Sequence, residues 1–397
     1  MSRQPIGGKH LGYIGAALLL VLPLLTVWNL VTSHFAPELQ LRIGPPLRGV
    51  TVPPAPASFN LHAFADGSWQ KAVTTSVGEA YPLRPLLIRF NNELRHKVFG
   101  AYGAPGIING DNGQLIEEGY LKEYCARNLV TFEQKARDWI SRLKEIQDFY
   151  EMRGHVFIYL ITPSKVAHLP EYFVHRVACA SSEQDRNAML PLYDRLLTES
   201  GIHLVDAARL THQLKGKYEI ELFPAGGVHW NALAIANAAN AVLDEINREE
   251  KRPVAPRLSW TYTVTNKATG TDRDLVDLIN VLMPNTLYPT PKVTFNRTGG
   301  CGEFPVSSMR IALVGGSFIH ELARTLINAG CLARLESYDY LYNSLRAGSE
   351  YKDVKRRLTS SDILPLRDSD IVILEENEAA LPGTAHAVEF HRVILGQ

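Results

Sequence analysis

Residues 310–320 read Arg-Ile-Ala-Leu-Val-Gly-Gly-Ser-Phe-Ile-His. Ile311 to Val314 is an apolar run with no polar alternation, the pattern of a strand buried on both faces. It passes through Gly315-Gly316-Ser317 directly into a helical pattern. A strand that turns at once into a helix is the repeating unit of an α/β sheet, and such sheets keep their sites at the carboxyl ends of the strands. Three more runs share the character of the first: VFIYLIT at 156–162, IHLV at 202–205 and DIVILE at 370–375. Amphipathic stretches lie between them. Residues 132–150 place Phe132, Ala136, Trp139, Ile140, Leu143 and Tyr150 on one face, with Thr131 and Gln134 as a capping box and Gly154 as the stop. A second helix over about 231–247 carries Ile235, Ala238, Val242 and Ile246, a third follows Ser317, and a fourth ends the sequence. Alternation of this kind predicts a three-layer α/β/α sandwich with a mainly parallel sheet.

Composition narrows the function classes. The 397 residues hold 41 Lys+Arg against 41 Asp+Glu, so there is no basic excess of the kind that binds nucleic acid. Hydrophobic residues make up 46% and charged residues 21%, enough apolar surface for a core. Residues 11–30, LGYIGAALLLVLPLLTVWNL, carry no charge, follow Arg3 and Lys9, and precede Glu38. Their length predicts a single transmembrane helix, and the positive flank predicts that the rest is exported. A cleaved signal peptide competes with this reading, with Val31-Thr32-Ser33 as its weak cleavage site. Pro37, Pro45, Pro46, Pro53, Pro54 and Pro56 then suggest an extended spacer. The expected organisation is a signal anchor over 1–32, a Pro-rich periplasmic linker over 33–79 and one catalytic domain over 80–397, held on the inner membrane and facing the periplasm. Cys125, Cys179, Cys301 and Cys331 form no C-x-x-C pair, which argues against structural zinc. In an oxidising compartment they could form two bridges in any of three pairings. No H-E-x-x-H, P-loop or G-x-G-x-x-G motif calls for a metal or organic cofactor.

Three segments could carry chemistry. Ser317 sits where a strand becomes a helix, so its hydroxyl is presented at the sheet edge and the nearby N–H groups, Gly316 included, can hold an oxyanion. Serine is equally at home there as an N-cap. The segment is not a G-x-S-x-G elbow, because Ile319 takes the place of the last glycine. His229 lies in the glycine-rich stretch Phe223-Pro224-Ala225-Gly226-Gly227-Val228-His229, just before a helix, and from such a loop it can reach a serine at a neighbouring strand end; His320 is the alternative base. Lys165, in Thr162-Pro163-Ser164-Lys165, could line the same cleft or simply be solvated.

Taken in order, these blocks resemble the alginate O-acetyltransferase AlgJ/AlgX-like family, with its SGNH-hydrolase-like domain. The similarity runs over roughly 80–380. It includes Tyr81-Pro82-Leu83-Arg84, Ile107 to Leu115, Pro163-Ser164-Lys165 with Leu169-Pro170, Val205-Asp206, His229-Trp230, Asp274-Leu275, Gly315-Gly316-Ser317-Phe318 and the strand end from Glu375 to Glu378. The resemblance implies a Ser–His–Asp enzyme that moves acetyl onto a secreted polysaccharide, supplied by a multi-pass membrane O-acyltransferase. It implies Ser317 as nucleophile and His229 as base. One position departs: where the family has the acid of D-x-H, this sequence has Gly227. Another acid then substitutes, with Asp206, Glu375 and Glu376 as the strand-end candidates, or a Ser–His dyad suffices, or the protein is a non-catalytic scaffold or glycan-binding subunit. A carbohydrate esterase on the same fold is the enzyme alternative.

Overall fold

Val156–Thr162 is apolar or β-branched throughout and buried at every position, because it forms the middle of a sheet covered on both faces. The computed structural model describes residues 8–50, 59–100, 104–296, 303–329, 334–339, 344–347, 352–356 and 359–396. They fall into two units, residues 1–105 with 276–284 and residues 106–275 with 285–397.

The first unit is helical, with Gly8–Phe35, Ser68–Ala80 and Arg84–Phe99 as its long elements. Asn92 ties the returning segment to the last of these by donating to the Ile279 carbonyl at 3.0 Å. Among the described residues no helix is long and apolar enough to cross a membrane, so the transmembrane helix expected over 11–30 is not supported. The side chains before residue 20 lie outside the described ones. Beyond them, Thr26, Asn29 and Thr32 are buried on one face of Gly8–Phe35, and Asn29 donates to the carbonyls of Leu41 and Ala80 at 2.8 Å each. A polar stripe bonded to neighbouring backbone is built for protein rather than lipid on that face. The stretch expected as a linker carries a helix at Leu61–Ala65 and all but the last residue of Ser68–Ala80, while 51–58 lies outside the described residues.

Among the described residues the second unit holds eleven strands. β1 (Ile107–Asn109) and β2 (Leu115–Glu117) form a small hairpin, as do β5 (Trp260–Thr265) and β6 (Thr290–Phe295). The large sheet has the order β10 (Lys352–Arg356), β9 (Ser344–Ala347), β8 (Arg334–Asp339), β7 (Arg310–Gly315), β11 (Ile371–Asn377), β3 (Val156–Thr162) and β4 (Leu204–Asp206). From β8 to β4 every pairing is parallel; β9 and β10 add an antiparallel edge. Alternate residues Phe157, Tyr159, Ile161, Val372 and Leu374 pack with helices Leu129–Glu151, Glu183–Glu199 and Ala385–Leu395. The other face lies under Ala232–Glu249 and Ser317–Asn328, which gives the expected three layers. The first long helix starts at Leu129 rather than 132: Asn128 caps it by accepting from the Thr131 N–H, so the Thr131–Gln134 box is not what begins it. Cys125 and Cys179 are joined in a disulfide; Cys301 and Cys331 lie outside the described residues.

Candidate active site

Strand β7 ends at Gly315, and Ser317 opens the helix Ser317–Asn328. Ser317 makes no capping bond; the cap residue is Gly316. Its Oγ instead stands 2.8 Å from His229 Nε2. His229 Nδ1 is 2.5 Å from Asp274 Oδ2, and the other carboxylate oxygen accepts the Val228 N–H at 3.0 Å. Serine, imidazole and carboxylate therefore lie in one line of hydrogen bonds, with the histidine between its two partners. His320, the alternative base, is buried within the helix, and the Ser317 hydroxyl faces His229.

The histidine is held by its neighbours in sequence. Asn231 caps Ala232–Glu249 by accepting from the N–H groups of Leu233 and Ala234, and its own amide donates to the Glu221 carbonyl at 2.7 Å. Trp230 Nε1 donates to the Phe318 carbonyl at 3.3 Å, and the His229 ring packs against the Phe318 ring at 4.8 Å. The loop and the serine helix are thus joined on both sides of the Ser–His bond. Only 12% of the His229 side chain and 25% of the Asp274 side chain are exposed, which leaves the pair weakly screened.

Gly227 explains why the acid is not two residues before the histidine. A Cβ there would overlap the Thr271 carbonyl oxygen and come within 2.9 Å of Pro224 Cγ. The segment Gly270–Arg273 occupies that space, and the residue after it is Asp274. The segment that fills the room a side chain at 227 would need is the one that leads into the carboxylate of Asp274.

The strand-end acids expected as orienters do other work. Asp206 caps Ala207–Gln213 by accepting from the Arg209 N–H, and burial pushes its carboxyl up to about 7. Glu376 accepts from Trp139 Nε1 and the Tyr159 hydroxyl at 2.7 Å each, deep in the opposite layer. Glu375 lies closer to the site: it accepts from the Gly316 N–H at 2.8 Å and from the Thr162 hydroxyl at 2.5 Å. Burial raises its pKa, while His386 and these two donors pull the other way. It braces the turn before the nucleophile, and Gly315 has no side chain because a Cβ would stand 2.5 Å from Glu375 Oε2. The Gly316 N–H is consequently engaged by Glu375 and is not a free oxyanion donor. The groups left for that role are the N–H groups of the first turn from Ser317 onward, which have no intrahelical acceptor.

Lys165 does not line the cleft. It is fully buried, and its Nζ donates to the main-chain carbonyls of Leu115, Pro224, Ala225 and Gly227. Burial lowers its pKa to about 7, opposed by Asp274. Two more acids stand near the triad. Burial, aided by Asp274, raises the pKa of Glu117, with His229 opposing, and burial with Glu321 and Asp274 brings Asp272 up to about 7. Among the described residues no group of three or more His, Cys, Asp or Glu is arranged to hold a metal ion.

Asp274 was legible only as part of the Asp274-Leu275 block and not as a catalytic acid. The signal that could have found it was Gly227 itself: a position that excludes a side chain asks which acid stands against it.

No protein-family profile and no curated protein matches the chain. Among solved structures it is similar to the O-acetyltransferase domain of Pseudomonas putida AlgJ, at 15% identity and TM-score 0.47, covering 74% of this chain and 100% of that one. It is similar to Pseudomonas aeruginosa AlgX at 14% identity and TM-score 0.46, covering 72% of this chain and 65% of AlgX. Bacillus cereus PatB1 is 10% identical with TM-score 0.46, covering 72% of this chain and 98% of PatB1.

Proposed function

We propose that the second unit is a serine acyltransferase that moves acetyl from a carrier onto a hydroxyl of a secreted, alginate-like polysaccharide through an acetyl-Ser317 intermediate. The observation that carries this reading is the Ser317–His229–Asp274 line, with the serine at a helix start. His229 Nε2 takes the Ser317 proton as Oγ attacks the acetyl carbonyl. Asp274 fixes the tautomer that leaves Nε2 free to accept, and it stabilises the imidazolium that forms. The tetrahedral oxyanion faces the free N–H groups of the first helical turn. When the carbon–carrier bond breaks, His229 returns the proton to the leaving group. An acceptor hydroxyl then gives its proton to His229 and attacks the acetyl carbon, and the serine leaves with that proton. Water as acceptor makes the same site an esterase. Gly227 favoured a non-catalytic scaffold while no acid was in view; Asp274 supplies that acid and removes the reason.

The polysaccharide, the acetyl group and a multi-pass O-acyltransferase as donor partner are proposed from the sequence blocks around His229-Trp230 and Gly315-Gly316-Ser317-Phe318. The proposed location is the periplasm, beside the inner membrane. The Cys125–Cys179 bridge supports an oxidising compartment. A serine-reactive fluorophosphonate is the test of the enzyme reading: it should label the full chain at Ser317, and a folded, unlabelled protein would return the scaffold reading. Acetylation of an oligosaccharide in competition with water separates transferase from esterase.

A further inference from the structure

Lys165 is a buried amine to which the triad gives no task. Lys165 follows β3, has 0% of its surface exposed, and among the described residues has no carboxylate in salt-bridge range. Its Nζ meets four carbonyls: Leu115 at 2.8 Å, Pro224 at 2.7 Å, Ala225 at 3.1 Å and Gly227 at 2.8 Å. An ammonium brings three protons and no lone pair to such a cage, whereas a neutral amine would set its lone pair against carbonyl oxygen. Lysine is seldom fully buried unless paired, so this charge is held for what it binds.

What it binds is the turn that delivers the base. Three of the four carbonyls belong to residues 224–227, immediately before Val228 and His229. The fourth belongs to β2, whose Leu115 N–H donates to the Ala225 carbonyl at 2.8 Å, so strand and turn are tied at the same point. From that point Val228 N–H reaches one oxygen of Asp274 and His229 Nδ1 reaches the other. Movement of the turn therefore shifts both bonds to the acid, and the Ser317 bond with them.

We infer that Lys165 is a positioning residue: its ammonium gathers the carbonyls of Pro224, Ala225 and Gly227 and so sets where His229 stands relative to Asp274 and Ser317. The kinetic part of this inference rests on the acyl-transfer reading; the geometric part does not. The test uses the full chain, with turnover of an activated acetyl ester and the far-downfield proton resonance of the His229–Asp274 hydrogen bond as readouts. Lys165→Met should lower kcat by ~10²-fold, the cost of a ~1 Å misplacement, with KM nearly unchanged, and should shift or erase the resonance. Lys165→Cys, alkylated to S-aminoethylcysteine under denaturing conditions and refolded, restores an ammonium and should recover both readouts; wild type taken through the same steps is the control. Should the Met variant not fold, Lys165→Gln, which keeps two donors for the cage, carries the same readouts. A folded Met or Gln variant with wild-type kcat and resonance overturns the inference, as does a folded aminoethylated chain no better than its Cys parent. If wild type itself fails to turn over the ester, acyl transfer is lost, and the resonance alone still decides the role of Lys165.

Discussion

Asp274→Asn is the substitution whose effect the geometry fixes most closely. Asp274 Oδ1 accepts the Val228 N–H at 3.0 Å, and Oδ2 faces His229 Nδ1 at 2.5 Å. An asparagine keeps its carbonyl on Val228, because its amide nitrogen cannot accept that N–H. The amide nitrogen then points at Nδ1, and two donors cannot face each other. The imidazole responds by placing its proton on Nε2 and accepting at Nδ1. Nε2 then cannot take the Ser317 proton, although every heavy atom stays in place. Loss of this orienting carboxylate costs ~10⁴ in turnover in triads of the same layout, or about 5 kcal/mol of barrier at 1.36 kcal/mol per tenfold. The assay is kcat on an activated acetyl ester, with the fluorophosphonate labelling rate as a substrate-independent check and thermal unfolding as the control for folding. A folded Asp274→Asn variant within tenfold of wild type would refute the role given to Asp274. Asp206→Asn, at the acid that caps a neighbouring helix, should leave kcat within about threefold, since that carboxylate does not touch the triad.

Gly227→Ala should lower both stability and kcat, because its Cβ would stand 2.9 Å from Pro224 Cγ and overlap backbone beside Asp274; overpacking of this kind costs ~1–3 kcal/mol, read from a denaturant titration. Stability should fall on acidification as Glu378 protonates. Burial favours its neutral form, yet His212, Arg127 and the Ser164 N–H outweigh it and bring the pKa from 4.5 to about 2. That contribution is complete above pH 4.5 and lost as pH falls through about 2, so Glu378→Gln should show a flatter loss of denaturation midpoint over that window. Reduction of the Cys125–Cys179 bridge, which closes a separation of 54 residues, should cost ~4 kcal/mol on the chain-entropy estimate, seen as a lower urea midpoint with reductant.

The elements that sequence carried well are those whose burial is uniform. Ile311–Val314 and VFIYLIT read as doubly covered strands because no solvent-facing position interrupts them, and β7 and β3 are found at the expected residues. Ser317 and His229 were legible because glycines flank each of them at an element boundary. Asp274 was not, for a physical reason. It follows the short 3-10 turn Gly270–Arg273 and starts a five-residue helix, too short for any hydrophobic period to mark. Its approach to His229 is set by tertiary packing against Gly227, which no local pattern records. The same holds for β9 and β10, whose short SLRA and KDVKR carry no strand period, and which extend the sheet by pairing β9 onto β8 and β10 onto β9. The corrected start of the helix at Leu129 is smaller in kind: Asn128 and Thr131 are both good caps, and the structure uses the earlier one.

The central claim is that Ser317 carries the acyl group. The direct measurement is the intact mass of the full chain, quenched in acid during turnover of an activated acetyl ester, followed by peptide mapping. A single added acetyl on the peptide that contains Ser317, absent from Ser317→Ala and accumulating more slowly in His229→Ala, is the result the account predicts. Continued turnover with no acetyl on Ser317, or full activity in Ser317→Ala, would contradict it.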